Sequence, residues 1–300
     1  MIHPSSLLQK LEHGDIKSLA RAITLVENDL KGSAELLETI HVRDIPFIGI
    51  TGPPGAGKSS LVNALVHHLL QKNFKIGVVA IDPSSPFNFG SLLGDRIRLA
   101  EHFNHPNVYI RSMATRGSLG GLSDKIMEVT DVMRAFPFDY IFIETVGVGQ
   151  SEVEIAGLAD TTIVVMVPEA GDEIQTMKAG LMEIADIFVV NKADRADADR
   201  FAKNLRTLSA SVMTKEWMIP VLKTVATNDE GIDELLQQIQ LHQDALLSNT
   251  RKLMLLAEKA WRIIQKEKMK DIDKKKLLAE LQNESTKEGF NVYRFAKQFP

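Results

Sequence analysis

Apolar and polar residues follow two different periods along this chain, and the change of period divides it into three stretches. Residues 1–41 read as helical: Asp15 is placed to cap a helix whose apolar face is Leu19, Ala22, Ile23 and Val26. From 42 to 248, short apolar runs alternate with helical stretches. The runs are Phe47–Ile50, Lys75–Ile81, Val108–Arg111, Tyr140–Glu144, Thr162–Val167, Ile187–Val190 and Met218–Leu222. Several are continuous rather than alternating, as in a parallel sheet covered on both faces. The pattern predicts a doubly wound, mostly parallel α/β sheet with helical N- and C-terminal extensions. From 249 the alternation stops. Leu253, Leu256, Ala257, Ala260, Ile263 and Ile264 fall at helical spacing, followed by charged residues and a second short helix.

The connection after the first run carries the clearest chemistry. Gly52-Pro53-Pro54-Gly55-Ala56-Gly57-Lys58-Ser59 matches G-x-x-x-x-G-K-[ST] at every fixed position. A predicted strand precedes it. A helical pattern follows, with Leu61, Ala64, Leu65, His68 and Leu69 on one face. The loop glycines let backbone N–H groups converge on phosphate oxygens, and the helix N-terminus adds partial positive charge. Gly55, Ala56, Gly57, Lys58, Ser59 and Ser60 are therefore expected to bind a nucleotide, with Lys58 at the β- and γ-phosphates and the Ser59 hydroxyl on Mg²⁺.

Asn191-Lys192-Ala193-Asp194 follows the run Ile187–Val190 and matches N-K-x-D, about 130 residues after the P-loop. A carboxylate at Asp194 accepts from guanine N1–H and the exocyclic amine. Adenine offers no such donors, and leaving the carboxylate unpaired costs about 1–3 kcal/mol. The expected ligand is GTP or GDP. A weaker third element is Thr224-Val225-Ala226-Thr227, where Val225 stands in the place of the usual Ser and the Ala226 N–H is the expected donor to guanine O6.

Three carboxylates fall where strand ends should surround the γ-phosphate. Asp82 closes the second run before Pro83-Ser84-Ser85-Pro86, Asp95 lies in Gly94-Asp95-Arg96, and Glu144 closes the fourth run and begins Glu144-Thr145-Val146-Gly147. Hard oxygen donors at this edge suit Mg²⁺. Lys58, Asp82, Asp95 and Glu144 are the expected catalytic set. Val148 occupies the place of the Gln that orients the attacking water in Ras-like enzymes. Hydrolysis should be slow, or water oriented from elsewhere, with Asp82 the first candidate and Gln150 the second. Gly117–Gly121 and Pro168–Glu173 read either as mobile γ-phosphate sensors or as ordinary connections.

Composition narrows the setting. Three hundred residues with 44% apolar and 25% charged positions are ordinary for a globular chain, and no run approaches the roughly 18 apolar residues of a membrane span. The polar N-terminus reads as no secretory signal. There is no cysteine, which excludes disulfides and thiolate metal sites and fits a cytoplasmic protein. His102 and His105 lie three apart beside Asn104-His105-Pro106, which favours surface or helix-end roles over a zinc pair. The net charge of −4 gives no reason to expect nucleic acid. Residues 251–300 carry 13 Lys/Arg against 7 Asp/Glu, a net +6, leaving −10 for the rest. Mixed charges with an apolar stripe favour a packing or dimerisation arm over binding to nucleic acid or membrane.

The segments GDIKSLARAITLVEN, TGPPGAGKSSLVNAL, AIDPSSPFNFGSLLGDRIRLA, RSMATRGSLGGLS, DYIFIETVGVGQSE and AGDEIQTMKAGLMEIADIFVVNKAD, in this order, closely resemble the MeaB/ArgK family of P-loop GTPases, of the signal-recognition-particle-like class. The resemblance runs from about residue 11 to about 235. It implies a homodimeric GTP-dependent chaperone of an adenosylcobalamin-dependent mutase, above all methylmalonyl-CoA mutase. It implies that Asp82, Asp95 and Glu144 surround Mg²⁺ and the attacking water, and that Glu169 to Lys178 matches the third switch, which links nucleotide state to the mutase. The chain departs from the family at Phe89-Gly90, Arg96 and Lys178-Ala179, and over its last 50 residues. A kinase linked to basic amino-acid transport is an older reading of the same family. A metal-insertion GTPase is the other alternative, and the lack of cysteine and of a His cluster disfavours it.

Overall fold

Each of the seven apolar runs becomes a strand: β1 Phe47–Thr51, β2 Ile76–Asp82, β3 Val108–Ala114, β4 Tyr140–Glu144, β5 Thr161–Met166, β6 Ile187–Asn191 and β7 Val221–Thr224. They form one sheet in the order β3-β2-β4-β1-β5-β6-β7, and every paired neighbour is parallel. The structure is a computed structural model of the 300-residue chain. It describes residues 4–82, 99–114, 123, 125–145, 147, 151–170, 179–210, 217–246, 251–270, 272–286 and 290–299.

The seventh strand is displaced from its expected span, Met218–Leu222. Met218 is 70% exposed, and Pro220, which has no N–H to give to a ladder, contributes only its carbonyl, accepting from Phe188 N at 2.9 Å. Pairing therefore begins at Val221, and the strand runs on to Thr224.

Successive side chains point to opposite faces of the sheet, and both faces are covered. On one face Ile48, Ile50, Phe142, Ile163, Val165 and Val189 pack against α4 (Lys58–Gln71) and α9 (Ile232–Leu246), helices being numbered in chain order among the described residues. On the other, Phe47, Val79, Ile81, Ile141 and Ile143 meet α1 (Pro4–Glu12), α2 (Ile16–Glu27), α3 (Ser33–Thr39) and α5 (Ile126–Ala135). On that same face Val164, Phe188 and Val190 meet Phe201, Ala202 and Leu205 of α8 (Ala198–Ser209).

The N-terminal helices are part of this core. Asp15 caps α2 by accepting from Ser18 N at 2.9 Å and Ser18 Oγ at 2.6 Å, hydrogen bonds that hold its carboxyl below the ordinary Asp range. Leu19, Ala22, Ile23 and Val26 are fully buried. The end of α2 is ion-paired to the sheet side through Glu27–Arg111 on β3 and Asp29–Lys125 ahead of α5. Arg134 of α5 pairs with Asp160, whose carboxylate also accepts from Phe47 N at 3.0 Å. Two of the histidines are buried rather than superficial. His102 lies at the end of a short 3₁₀ turn, where burial pushes its pKa down. His242 of α9 bridges Thr161 Oγ1 at 2.8 Å and Asp186 at 3.4 Å.

The chain divides into two compact units, residues 1–250 and 251–300. The second contains α10 (Arg251–Lys268), α11 (Lys274–Glu284) and α12 (Val292–Ala296). Within it Phe295 is buried, whereas Leu253, Leu256, Ile263 and Ile264 of α10 are all more than half exposed. Among the described residues no helix is long and apolar enough to cross a membrane.

Candidate nucleotide-binding site

A parallel sheet collects all its C-terminal strand ends at one edge, and here that edge receives the P-loop, the Glu144 connection, Asn191 to Asp194 and Thr224 to Thr227. The chain leaves β1 for β2 and β3, returns to β4, and then builds β5 to β7 on the opposite side of β1. This reversal beside β1 opens a crevice at the strand ends. The P-loop leaves β1 directly into it.

The loop is tightly fixed by its neighbours. Gly57 has φ 88°, in the left-handed region, and a Cβ there would lie 2.3 Å from Asn191 Nδ2, so only glycine fits. Lys58 opens α4 and is buried; its ammonium donates to Gly52 O at 2.9 Å and Pro53 O at 3.1 Å. Gly147, φ 82°, lies against the same ammonium: a Cβ would approach Nζ to 2.5 Å and Gly52 O to 2.3 Å. The glycine of Glu144-Thr145-Val146-Gly147 is thus required by close approach of the fourth strand's connection to the lysine. Ser59 and Glu144 are both buried, and Ser59 Oγ donates to Glu144 Oε1 at 2.6 Å. Beside them Thr51 and Thr145 hydroxyls are 2.9 Å apart, and Thr145 N donates to Ile50 O at 3.1 Å.

The guanine motif is tied to the same loop through Asn191. Its Nδ2 donates to Ala56 O at 3.0 Å, and its Oδ1 accepts from Thr224 Oγ1 at 3.1 Å and Ala226 N at 3.2 Å. One carboxamide therefore joins the P-loop, the end of β6 and the end of β7. Lys192 follows with φ 56° and donates from Nζ to Gly55 O at 2.8 Å. Between these segments lies a cavity of about 170 Å³ lined by Gly57, Ser60, Asn191, Lys192, Asp194 and Ala226, together with Arg195, Val225 and Thr227. Gly57 and Ser60 lie about 130 to 170 residues before the rest in sequence, so folding has assembled one cavity from the phosphate and base motifs.

The Ala226 N–H, expected to face a guanine oxygen, points to Asn191 Oδ1 in this structure. Asp82 ends β2, two residues beyond Ala80, which is level with Glu144. Asp95, Gly117–Gly121, Val148, Gln150 and residues 171–178 lie outside the described residues. Several contributors had no separate signal in the sequence. Thr51 and Thr145 look like ordinary strand-end residues, and Arg195 is one more charged loop residue after Asp194.

A family model described as Methylmalonyl Co-A mutase-associated GTPase MeaB matches residues 19–284. The chain belongs to the MeaB family. A Pyrococcus abyssi protein that bears a GTPase name is 50% identical over 246 residues, covering 80% of this chain and 76% of that protein. GTPase ArgK of Escherichia coli is 35% identical over 265 residues, covering 84% of this chain and 80% of its own length. A crystal structure described as an LAO/AO transport system kinase superposes over 99% of this chain and 97% of that one, at 26% identity with a TM-score of 0.72. The cradle is that of a P-loop GTPase, and this MeaB-family chain is a GTP-binding enzyme.

Asn191→Ala removes all three carboxamide hydrogen bonds and leaves buried partners at Ala56, Thr224 and Ala226. At about 1–3 kcal/mol for a buried polar group left unsatisfied, urea unfolding should shift by about 2 kcal/mol or more, and GDP affinity should fall at least about tenfold by calorimetry. Unchanged stability and affinity would remove Asn191 from its role as the link between the two motifs.

Proposed function

We propose that this GTPase is a nucleotide-gated chaperone of an adenosylcobalamin-dependent acyl-CoA mutase in the cytoplasm, with methylmalonyl-CoA mutase as the first candidate. The observation that carries the reading is the match of residues 19–284 to a family described by its association with that mutase. In the proposed site the N–H groups of Gly55, Ala56 and Gly57 and the Lys58 ammonium bind the β- and γ-phosphates. Ser60 and the 191–194 loop flank the nucleoside, and Asp194 accepts from the guanine edge. A role for Ala226 N–H at guanine O6 would require it to turn from Asn191.

The described residues suit Mg²⁺: Ser59 and Glu144 are buried oxygen donors in contact at 2.6 Å. Asp82, which closes β2, and Asp95, which lies outside the described residues, are the further carboxylates proposed from the sequence. Bound there, the ion would neutralise charge on the bridging and γ-phosphate oxygens. Lys58 binds the same charge from the loop, and Glu144 orients the Ser59 hydroxyl. Asp82, at the end of β2, is the first candidate to orient the attacking water, and Gln150 the second. Val148 has no hydrogen-bonding side chain for that task. A slow reaction that a partner completes suits a gate better than a fast one, because the GTP state then persists until the partner is engaged.

The exposed apolar residues of α10 supply the motive for a homodimer: Leu253, Leu256, Ile263 and Ile264 share a helix whose other positions are largely charged. A second copy covering this stripe would remove it from water.

Three measurements test these readings. Asp194→Asn should weaken GTP and favour xanthosine triphosphate, whose ring presents a carbonyl where guanine has an amine; an unchanged preference for GTP rules out Asp194 as the base reader. Light scattering on a chain ending at Ser248 should report a monomer, and a truncated chain that stays dimeric places the interface elsewhere. GTP turnover should rise on adding the B12-dependent mutase from the same organism. A hundredfold rise corresponds to about 2.7 kcal/mol of added transition-state stabilisation. No acceleration, together with equal mutase affinity in the GDP and GTP-analogue states, would leave a GTPase with a different partner.

A further inference from the structure

Arg195 stands immediately after the base-reading Asp194 and lines the cavity assembled from the P-loop and the guanine loop. Its side chain is about half exposed, and its guanidinium is ion-paired. Nη1 donates to Oε1 of Glu169, in the 3₁₀ turn Pro168–Ala170 directly after β5. Two connections from adjacent strands, β5 and β6, are thus joined through a residue that lines the cavity. The Glu169 carboxyl is held below the ordinary Glu range, first by the hydrogen bond from Arg195, then by its own backbone N–H, with Lys192 adding a smaller favourable charge. Lys192, Arg195 and Glu169 therefore form one charged group beside the cavity that Asp194 lines.

The geometry points to Arg195 as a further base-binding residue, oriented by Glu169 to cover the purine at the open side of the cavity. The guanidinium is planar and weakly hydrated, and it packs on aromatic faces as readily as it pairs with carboxylates. A bidentate-capable donor fixed by a carboxylate on one edge keeps its flat face available to a ring. Glu169 is a positioning residue: it touches no nucleotide and acts by restricting the Arg195 side chain, which otherwise has many rotamers. The inference rests on the reading that Asp194 binds the guanine base in this cavity.

The test uses the full chain with GDP and inorganic triphosphate as probes. Arg195→Ala should weaken GDP by about three- to tenfold, the range for a cation on an aromatic ring at a part-exposed site, and leave inorganic triphosphate binding unchanged. Glu169→Gln should give a smaller loss for GDP, and none when added to Arg195→Ala, because both act through one group. Unchanged GDP affinity in Arg195→Ala overturns the inference, as does an equal loss for GDP and triphosphate, which would mean a general effect on the loop. A loss from Glu169→Gln that persists in the Arg195→Ala background overturns the positioning role. Asp194→Asn run in parallel separates the two readings. If it turns preference to xanthosine nucleotides while Arg195→Ala has no effect, only the Arg195 inference fails; if it leaves guanine preference intact, the base-site reading itself fails.

Discussion

The Asn191 carboxamide is the interaction on which the site's architecture depends. It has one donor group and one acceptor group, and both are used on different segments: Nδ2 on Ala56 O of the P-loop, Oδ1 on Thr224 Oγ1 and Ala226 N beyond β7. An amide is the side chain for this position because a carboxylate could not donate to Ala56 and an ammonium could not accept from β7. The pairing is buried, so no water competes for it, and breaking any part leaves a polar group in low dielectric. Gly57 completes the fit, since any larger residue would enter the space of the Asn191 amide.

A second set of buried polar contacts fixes the phosphate end. Ser59 is held by Glu144 across 85 residues of sequence, and Gly147 lets the fourth strand's connection approach Lys58. Burial matters here because an ammonium and a carboxylate in reduced dielectric interact over a longer range than at a solvated surface. The strand ends supply this proximity without long side-chain reaches, which is why short residues such as Ser59, Thr51 and Thr145 serve. Arg195 and Glu169, at the base end, are exposed by comparison, and their pairing is correspondingly soft.

The two ends of the chain behave differently for a physical reason. The N-terminal helices bury a complete apolar stripe, with Leu19, Ala22, Ile23 and Val26 fully enclosed and ion pairs to Arg111 and Lys125 at the rim. The C-terminal unit leaves the stripe of α10 exposed. A helix with an apolar face and a charged remainder is stable in a protein chiefly through what that face packs against, so the two stretches carry the same kind of pattern but different degrees of completion within one chain.

Much of the molecule was legible in residue order. Short apolar runs located all seven strands, and those buried on both faces, such as β1, β5 and β6, are continuous because neither face is turned to water. The P-loop and N-K-x-D motifs announced themselves because each chemical role needs one residue type at one spacing. Strand limits were less legible at β7, where Pro220 and the exposed Met218 moved pairing toward Thr224. Residue order also gave no sign that His102 and His242 are buried, since a histidine at helical spacing looks the same in either place. Nor did it show that the Ala226 N–H turns to Asn191, that Thr51 meets Thr145, or that Arg195 meets Glu169. Local sequence thus determined which elements form and which chemistry each can carry. Only the tertiary structure decided which of those groups touch, because contacts between residues 26 to 135 apart depend on strand order and register, and these are set by the packing of the whole sheet rather than by any one segment.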